Sequence, residues 1–259
     1  MLELEIRGNV GYLTIARPEV RNALGPELVA KLTAGLDRIE SDASVRAVVL
    51  TGSGKVFSAG ADLGSMRTQG AGDAEENRRN ALEMGRLFYR IYDFPKPVVA
   101  RVPGPAIGGG VGLMTACDVI VAVESAFFSF SEVRLGIVPA LISPFCIRRL
   151  GVAKARRLFL TGEKIPAPVA REIGLVDDVT TEADLDAGVN RALDALLQGA
   201  PGALAAAKNL VNEVAHLSPS EALPFTADLL AKLRASEEAR EGMTAFLEKR
   251  PPSWKASRD

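Results

Sequence analysis

Short apolar runs alternate with amphipathic segments over the first half of the chain, and this alternation restricts the fold more than any other feature. Aliphatic runs at 47–50, 98–102 and 119–123 have the length and composition of buried strands. Helical periodicity fills 26–39 and 73–91 between these runs. The pattern predicts an α/β core with right-handed β-α-β connections.

The two ends of the chain differ from this core. Residues 2–7 and 11–16 predict a β-hairpin. From residue 152 onward Gly, Pro and Ser separate segments with helical periodicity, and helices are predicted at 153–160, 167–173, 182–197, 204–214, 219–233 and 237–247. We therefore expect a core domain over residues 1–199 and a C-terminal helical region over residues 200–259.

Composition excludes several classes of protein. The chain has 259 residues with 31 basic and 32 acidic side chains, so no overall charge favours nucleic acid or a membrane surface. Cys117 and Cys146 lie in apolar surroundings and predict reduced core thiols, and no metal site is expected. No signal peptide and no apolar run long enough to cross a bilayer is found. These observations predict a cytoplasmic protein.

A glycine-rich run, Gly108-Gly109-Gly110-Val111-Gly112, enters an apolar helical segment. Such a turn can direct bare backbone N–H groups at a developing negative charge. A P-loop is excluded because no Lys and Ser or Thr follow the last glycine, and a dinucleotide fingerprint fits poorly in this position. Taken alone, the triple glycine is equally compatible with a close-packed strand-to-helix turn.

Two further features support a site. In the small-residue turn at 56–63, main-chain N–H groups are accessible to a ligand, and Asp62 can cap a short helix. Glu132 stands among Phe127, Phe128, Phe130 and Leu135, where partial desolvation would raise its pKa and suit it to proton transfer. The alternative for Glu132 is a helix cap or an ion pair with Arg134.

Together these motifs resemble the crotonase (enoyl-CoA hydratase/isomerase) family in order and spacing. The matching segments are Phe57-Ser58-Ala59-Gly60-Ala61-Asp62-Leu63, Gly108-Gly109-Gly110, Ala116-Cys117-Asp118 and Phe130-Ser131-Glu132-Val133-Arg134-Leu135-Gly136. The resemblance extends from the turn at 17–24 to residues 241–250. Residues 131–136 and 138–144 are most similar to hydratase-like branches such as 3-methylglutaconyl-CoA hydratase. The resemblance implies a crotonase-like spiral of ββα turns and a C-terminal helical region that builds trimers or dimers of trimers.

The resemblance also implies a reaction. The backbone N–H groups of Ala61 and Gly109 would form an oxyanion hole for an acyl-CoA thioester, and Glu132 would be the acid and base of an enoyl-CoA hydratase. No separate cofactor is expected, because coenzyme A is part of the substrate. The implied CoA-binding residues are Arg17, Val20, Ala59, Ala61, Asp62, Leu63, Gly64 and Gly109. Phe246 and Lys249 would contact the CoA of a neighbouring subunit, with an amphipathic surface helix as the alternative.

The chain departs from the family pattern at Gly112. Typical hydratases of the family carry a second glutamate at this place, two residues after the glycine triplet, so Glu132 is left as the single carboxylate. Hydration remains the first hypothesis. A double-bond isomerase and a non-catalytic acyl-CoA-binding protein are the alternatives. Acyl specificity is expected to depend on residues 65–80 and 141–145.

Overall fold

The computed structural model describes residues 1–62, 64–65, 67 and 73–255. Leu63, one of the implied CoA-binding residues, lies outside the described residues, as does part of the 65–80 stretch. The described residues form the predicted α/β core, followed by three helices between Pro201 and Leu247.

The main sheet has six strands in the order β1-β2-β3-β4-β6-β9. They are β1 (Leu2–Arg7), β2 (Val10–Ile15), β3 (Ala47–Gly52), β4 (Val98–Val102), β6 (Val119–Val123) and β9 (Asp178–Thr180). The hairpin pair β1 and β2 is antiparallel, and all other neighbours are parallel. Every residue of β3 is buried, as its continuous aliphatic run predicts.

A second, three-stranded sheet has the order β5-β7-β8. Its strands are β5 (Ala106–Ile107), β7 (Phe127–Ser129) and β8 (Ile165–Pro166). β5 follows β4, and β7 follows β6, after a few residues, so successive strand pairs contribute one strand to each sheet. This arrangement is the expected spiral of ββα turns. Sequence reasoning missed β5, β7, β8 and β9 because runs this short show no alternation.

Seven helices of the described core accompany the strands. They are α1 (Pro26–Ser41), α2 (Ala74–Tyr92), α3 (Gly109–Thr115), α4 (Ser143–Leu150), α5 (Val152–Thr161), α6 (Ala167–Glu172) and α7 (Leu185–Leu196). The Asp73 side chain caps α2 by accepting from the Glu76 backbone N–H at 2.7 Å. One contiguous hydrophobic cluster joins the strands to α1, α2, α3 and α7. Helix α4 was not predicted.

The C-terminal region consists of α8 (Pro201–Val214), α9 (Pro219–Arg234) and α10 (Glu237–Leu247). Helices α8 and α9 have no buried residue. The Lys208 ammonium connects α8 to the core through an ion pair of 2.9 Å with Asp118, whose carboxylate also accepts from the Val98 backbone N–H. No helix within the described residues is long and apolar enough to cross a bilayer.

Candidate active site

The backbone N–H groups of Ala61 and Gly109 lie side by side. The turn after β3 and the strand β5 are joined by a bridge between Ser58 and Ala106, and the Ile107 N–H donates to the Ser58 carbonyl at 3.0 Å. A Cβ atom placed on Gly109 would be 3.7 Å from the Ala61 nitrogen. Within the described residues neither amide donates to a protein acceptor, so both are available to a ligand.

Two glycines make this close approach possible. Gly60 has a φ of +88°, and a Cβ there would be 2.5 Å from the Ile107 carbonyl oxygen and 3.2 Å from the Gly109 nitrogen. Gly108 has a φ of +51°, a conformation that side chains other than glycine adopt rarely. The glycine-rich sequence is therefore required by backbone geometry at the two amides.

Glu132 lies against the same turn. It belongs to a 3₁₀ helix, Ser131–Leu135, and its Oε1 atom would be 3.0 Å from a Cβ placed on Gly108. Its Oε2 atom is buried and has no hydrogen-bond partner within the described chain. Burial raises the pKa of Glu132, and its own backbone N–H offsets this only in part.

The alternative structural role of Glu132 is not supported. Among the described residues Glu132 forms no ion pair, and the Arg134 guanidinium instead donates to the Thr161 carbonyl at 3.5 Å. Leu135 was expected to desolvate the carboxylate, but its residue is 57% exposed. Phe128 and Phe130 are fully buried, the carboxylate lies against the turn at Gly108, and the charge of Glu132 helps to raise the pKa of the Cys146 thiol.

The position of the missing second glutamate is filled by other side chains. A Cβ placed on Gly112 would be 2.1 Å from Cγ2 of Ile142 and 3.5 Å from Cζ of Phe88. Both side chains are almost fully buried, at 2% and 1% exposure. Ile142 belongs to the 141–145 stretch expected to set acyl specificity, whereas Phe88 was not selected, and no local pattern shows that either residue meets Gly112. The site is thus packed for a single carboxylate.

Arg17 and Asp62, two implied CoA-binding residues, contact each other. Their side chains form an ion pair at 3.5 Å, and the Arg17 guanidinium also donates to the Ala23 carbonyl at 2.8 Å. The Asp62 carboxylate accepts from the Ser65 backbone N–H at 3.1 Å, which agrees with the expected cap. The pair joins the turn at 17–24 to the turn that carries Ala61.

Asn22 is a further residue that sequence reasoning did not select. It is fully buried with a φ of +56°. Its amide nitrogen donates to the carbonyls of Ser53 and Val56, and its amide oxygen accepts from the Arg17 N–H. These bonds fix the turn that leads into Ala61. The sequence did contain a signal for Asn22, because it is a polar residue within the 17–24 turn to which ligand binding was assigned.

The remaining implied CoA-binding residues divide between two places: Val20, Ala59 and Gly64 belong to the turns around Ala61, whereas Phe246 lies on α10. Val20 is 38% exposed and Gly64 is exposed, whereas the Ala59 N–H donates a hydrogen bond to the Arg21 carbonyl. Phe246 is 83% exposed on α10. The backbone carbonyl of Trp254, a few residues beyond α10, accepts a hydrogen bond from the Arg46 guanidinium, and Arg46 directly precedes β3. Ala61 comes after the other end of β3.

Phe246 and the nearby Lys249 are therefore not brought to the paired amides of their own chain. The structure places them on the segment that packs at the start of β3, away from the turn that follows its end. A contact with the CoA of a neighbouring subunit stays a prediction.

A cleft of about 200 Å³ opens beside Ala61. Its apolar wall includes Leu24, Val29, Met84 and Leu141, and its polar lining includes Asp62, Asn77, Asn80 and Glu83. The described residues contain no group of three His, Cys, Asp or Glu side chains that could hold a metal ion.

Two free amides beside a desolvated carboxylate, carried by a spiral of ββα turns, are the groups that oxyanion stabilisation combined with proton transfer requires. A sequence model described as enoyl-CoA hydratase/isomerase matches residues 5–257. The chain belongs to the enoyl-CoA hydratase/isomerase family, which confirms the resemblance inferred from its motifs.

Individual relatives agree with this assignment. A short-chain-enoyl-CoA hydratase from Clostridium acetobutylicum is 34% identical over 95% of this chain and 94% of its own length. A 2,3-dehydroadipyl-CoA hydratase from Escherichia coli is 36% identical, with 94% of each chain covered. The crystal structure of an enoyl-CoA hydratase from Shewanella pealeana superposes with a TM-score of 0.94 at 37% identity, covering 98% of this chain and 95% of that one. The crotonase-like fold is thereby confirmed.

Proposed function

We propose that the protein is an enoyl-CoA hydratase that adds water across the 2,3 double bond of an enoyl-CoA thioester. The observation that carries the proposal is the buried, unpartnered carboxylate oxygen of Glu132 beside the paired amides of Ala61 and Gly109. The hydratase names of the relatives from Clostridium acetobutylicum and Escherichia coli support the same reaction.

In the proposed reaction the thioester oxygen accepts hydrogen bonds from Ala61 and Gly109. Glu132 removes a proton from water, the water oxygen bonds to C3, and the electrons of the double bond move to the thioester oxygen to form an enolate. Collapse of the enolate takes the proton from Glu132 to C2, which restores the carboxylate. The amides stabilise the charge that develops on oxygen, and the loss of one such donor typically costs about 10²- to 10³-fold in rate.

Glu132 performs both proton transfers in this scheme. Position 112 is a glycine, and Ile142 and Phe88 occupy the space beside it. A second carboxylate at this position therefore does not share the proton transfers. The same packing favours a second candidate, double-bond isomerisation, in which a single carboxylate takes a proton from C2 of a 3-enoyl thioester and returns it at C4. Both reactions place negative charge on the thioester oxygen, as an enolate with a hydroxyl on C3 in hydration and as a conjugated dienolate in isomerisation, and in isomerisation the proton comes from carbon instead of water.

We further propose that the chain assembles through its C-terminal helices. Helices α8 and α9 of the proposed 200–259 region have no buried residue, and they expose Val211, Leu223 and Leu230. A homotrimer, or a dimer of trimers, would cover these side chains and bring Phe246 and Lys249 to a neighbour's CoA. The free, buried thiols of the described chain support the proposed cytoplasmic location.

Absorbance of the conjugated enoyl thioester tests the function. The protein is incubated separately with crotonyl-CoA, 3-methylglutaconyl-CoA and a 3-enoyl-CoA. Hydration consumes the absorbance of the first two substrates, whereas isomerisation of the third creates it. Absence of change with all three would contradict both enzymatic proposals and favour an acyl-CoA-binding protein.

A further inference from the structure

The cleft beside Ala61 has a polar end on helix α2. We propose that this end selects acyl chains that carry a neutral hydrogen-bonding group, such as a hydroxyl or carbonyl, and that Asn80 binds it. The inference rests on the proposed hydratase function and adds the class of substrate for the same site.

One face of α2 forms a wall of the cleft. Asn77, Asn80, Ala81 and Met84 line it, at the spacing that places residues on one helix face. Leu141 closes the cleft next to this helix, since its Cδ2 atom would be 3.5 Å from a Cβ placed on Gly85. The wall therefore combines apolar side chains with the amide of Asn80.

The acyl chain, rather than the reacting carbonyl, faces this wall. The thioester oxygen is placed at Ala61 and Gly109, and C3 must lie within reach of Glu132. Gly112 lies in α3, the helix that begins at Gly109, and Ile142 packs against it. Leu141, which precedes Ile142 in the chain, lines the cleft. An acyl chain that continues beyond C3 consequently passes Leu141 and Met84 and reaches Asn80.

Asn80 has unused hydrogen-bonding capacity. Its residue is half-buried, and its side chain has no hydrogen-bond partner among the residues that the structure describes. A carboxamide offers two N–H donors and one acceptor oxygen, so it can bind either a hydroxyl or a carbonyl. A purely apolar chain at this place would displace water from the amide without replacing the hydrogen bonds.

The charges of the cleft disfavour an acidic group at the chain end. Glu83 is exposed at the rim and forms no ion pair with any described residue, whereas the charge of Asp62 is compensated by Arg17. A carboxylate at the end of the acyl chain would meet the like charge of Glu83. The cleft therefore favours neutral polar chains.

Three substrates with six-carbon acyl chains test the inference: hex-2-enoyl-CoA, 6-hydroxyhex-2-enoyl-CoA and 2,3-dehydroadipyl-CoA. We expect kcat/KM for the hydroxylated substrate to exceed that of the other two, by about three- to tenfold over hex-2-enoyl-CoA. In the Asn80→Leu variant, which has similar volume but no polar atoms, this ratio should fall to about one. Ratios within one variant cancel any general loss of activity.

Two further variants complete the design. Asn190→Leu makes the same chemical change at an exposed position on α7 and should leave the ratio as in the wild type. Glu83→Gln should raise kcat/KM for 2,3-dehydroadipyl-CoA about two- to threefold at low ionic strength and less at high ionic strength.

The outcomes separate this inference from the proposed function. If crotonyl-CoA and hex-2-enoyl-CoA are hydrated but Asn80→Leu leaves the hydroxyl preference unchanged, the substrate inference is wrong and the hydratase proposal stands. A preference of the wild type for the carboxylate-ended substrate would likewise overturn the substrate inference and leave the hydratase proposal standing. Absence of hydration with every substrate would overturn both.

Discussion

At the scale of single residues, the proposed chemistry depends on the absence of a side chain at Gly109 and on the burial of the Glu132 carboxylate. Gly109 leaves open the space in front of the Ala61 N–H, and the Glu132 Oε2 atom is buried without a partner. The motifs predicted a site at Ala61, Gly109 and Glu132, and the structure brings these three residues together. They could not show the contacts of Ile142 and Phe88 with Gly112, because these depend on how distant segments pack.

Replacement of Gly109 by valine should abolish most of the activity. A Cβ at this position would be 3.4 Å from Leu24 Cδ1 and 3.7 Å from the Ala61 nitrogen, so a branched side chain would occupy the place of the thioester oxygen. We expect a fall in kcat of about 10²- to 10³-fold in the hydration assay. Gly109→Ala, with one methyl group, serves as the milder control. An unchanged rate for Gly109→Val would show that the two amides do not form the oxyanion hole.

The pH dependence of hydration should report the burial of Glu132. The carboxylate must be ionised to accept a proton from water, so kcat/KM should fall as the pH is lowered through its pKa. Desolvation raises that pKa, and the inflection should therefore lie above the ordinary value of 4.5. Measurement with crotonyl-pantetheine avoids ionisation of the nucleotide phosphates. An inflection at or below the ordinary value would contradict the desolvated site.

At the scale of secondary-structure elements, the sequence predicted long elements better than short ones. Helix α2 was expected at 73–91 and is observed at Ala74–Tyr92, because its apolar periodicity and its Asp73 cap are both local signals. Strands β5, β7, β8 and β9 were missed because two or three residues carry no period. Helix α4 was missed, although Pro144 occupies a favourable place in its first turn.

The packing of α3 against Ile142 gives a prediction at this scale. Gly112→Ala introduces a Cβ only 2.1 Å from Ile142 Cγ2, and we expect it to lower the free energy of unfolding by about 1–3 kcal/mol. Ile142→Ala removes that methyl group, so the double variant should lose less stability than the sum of the single variants. Urea unfolding of the four proteins measures the coupling. Strict additivity would mean that Gly112 and Ile142 do not compete for the same space.

At the scale of the whole molecule, the C-terminal helices are incompletely packed within one chain. Neither α8 nor α9 has a buried residue, and Leu223 and Leu230 are 65% and 49% exposed. The sequence periodicity predicted these helices but could not distinguish packing within the chain from packing between chains, since both require an apolar face.

Sedimentation tests the proposed assembly. We expect the protein to sediment with three or six times the mass of one chain, because association would bury these apolar faces. Leu223→Asp should shift the distribution toward smaller species. Leu160→Asp, at a position 71% exposed on α5, is the matched control that should leave it unchanged. A monomer at micromolar concentration would contradict the trimer.

The most direct test of the central claim is the hydration rate of Glu132→Gln with crotonyl-CoA. Glutamine keeps the shape of the side chain but cannot accept the proton, so kcat should fall about 10²- to 10⁴-fold with little change in substrate binding. The variant should remain folded and be at least as stable as the wild type at pH 8. A buried carboxyl with a raised pKa makes the folded state less stable as the pH rises through that pKa, and glutamine removes this effect. Turnover near the wild-type level would contradict the assignment of both proton transfers to Glu132.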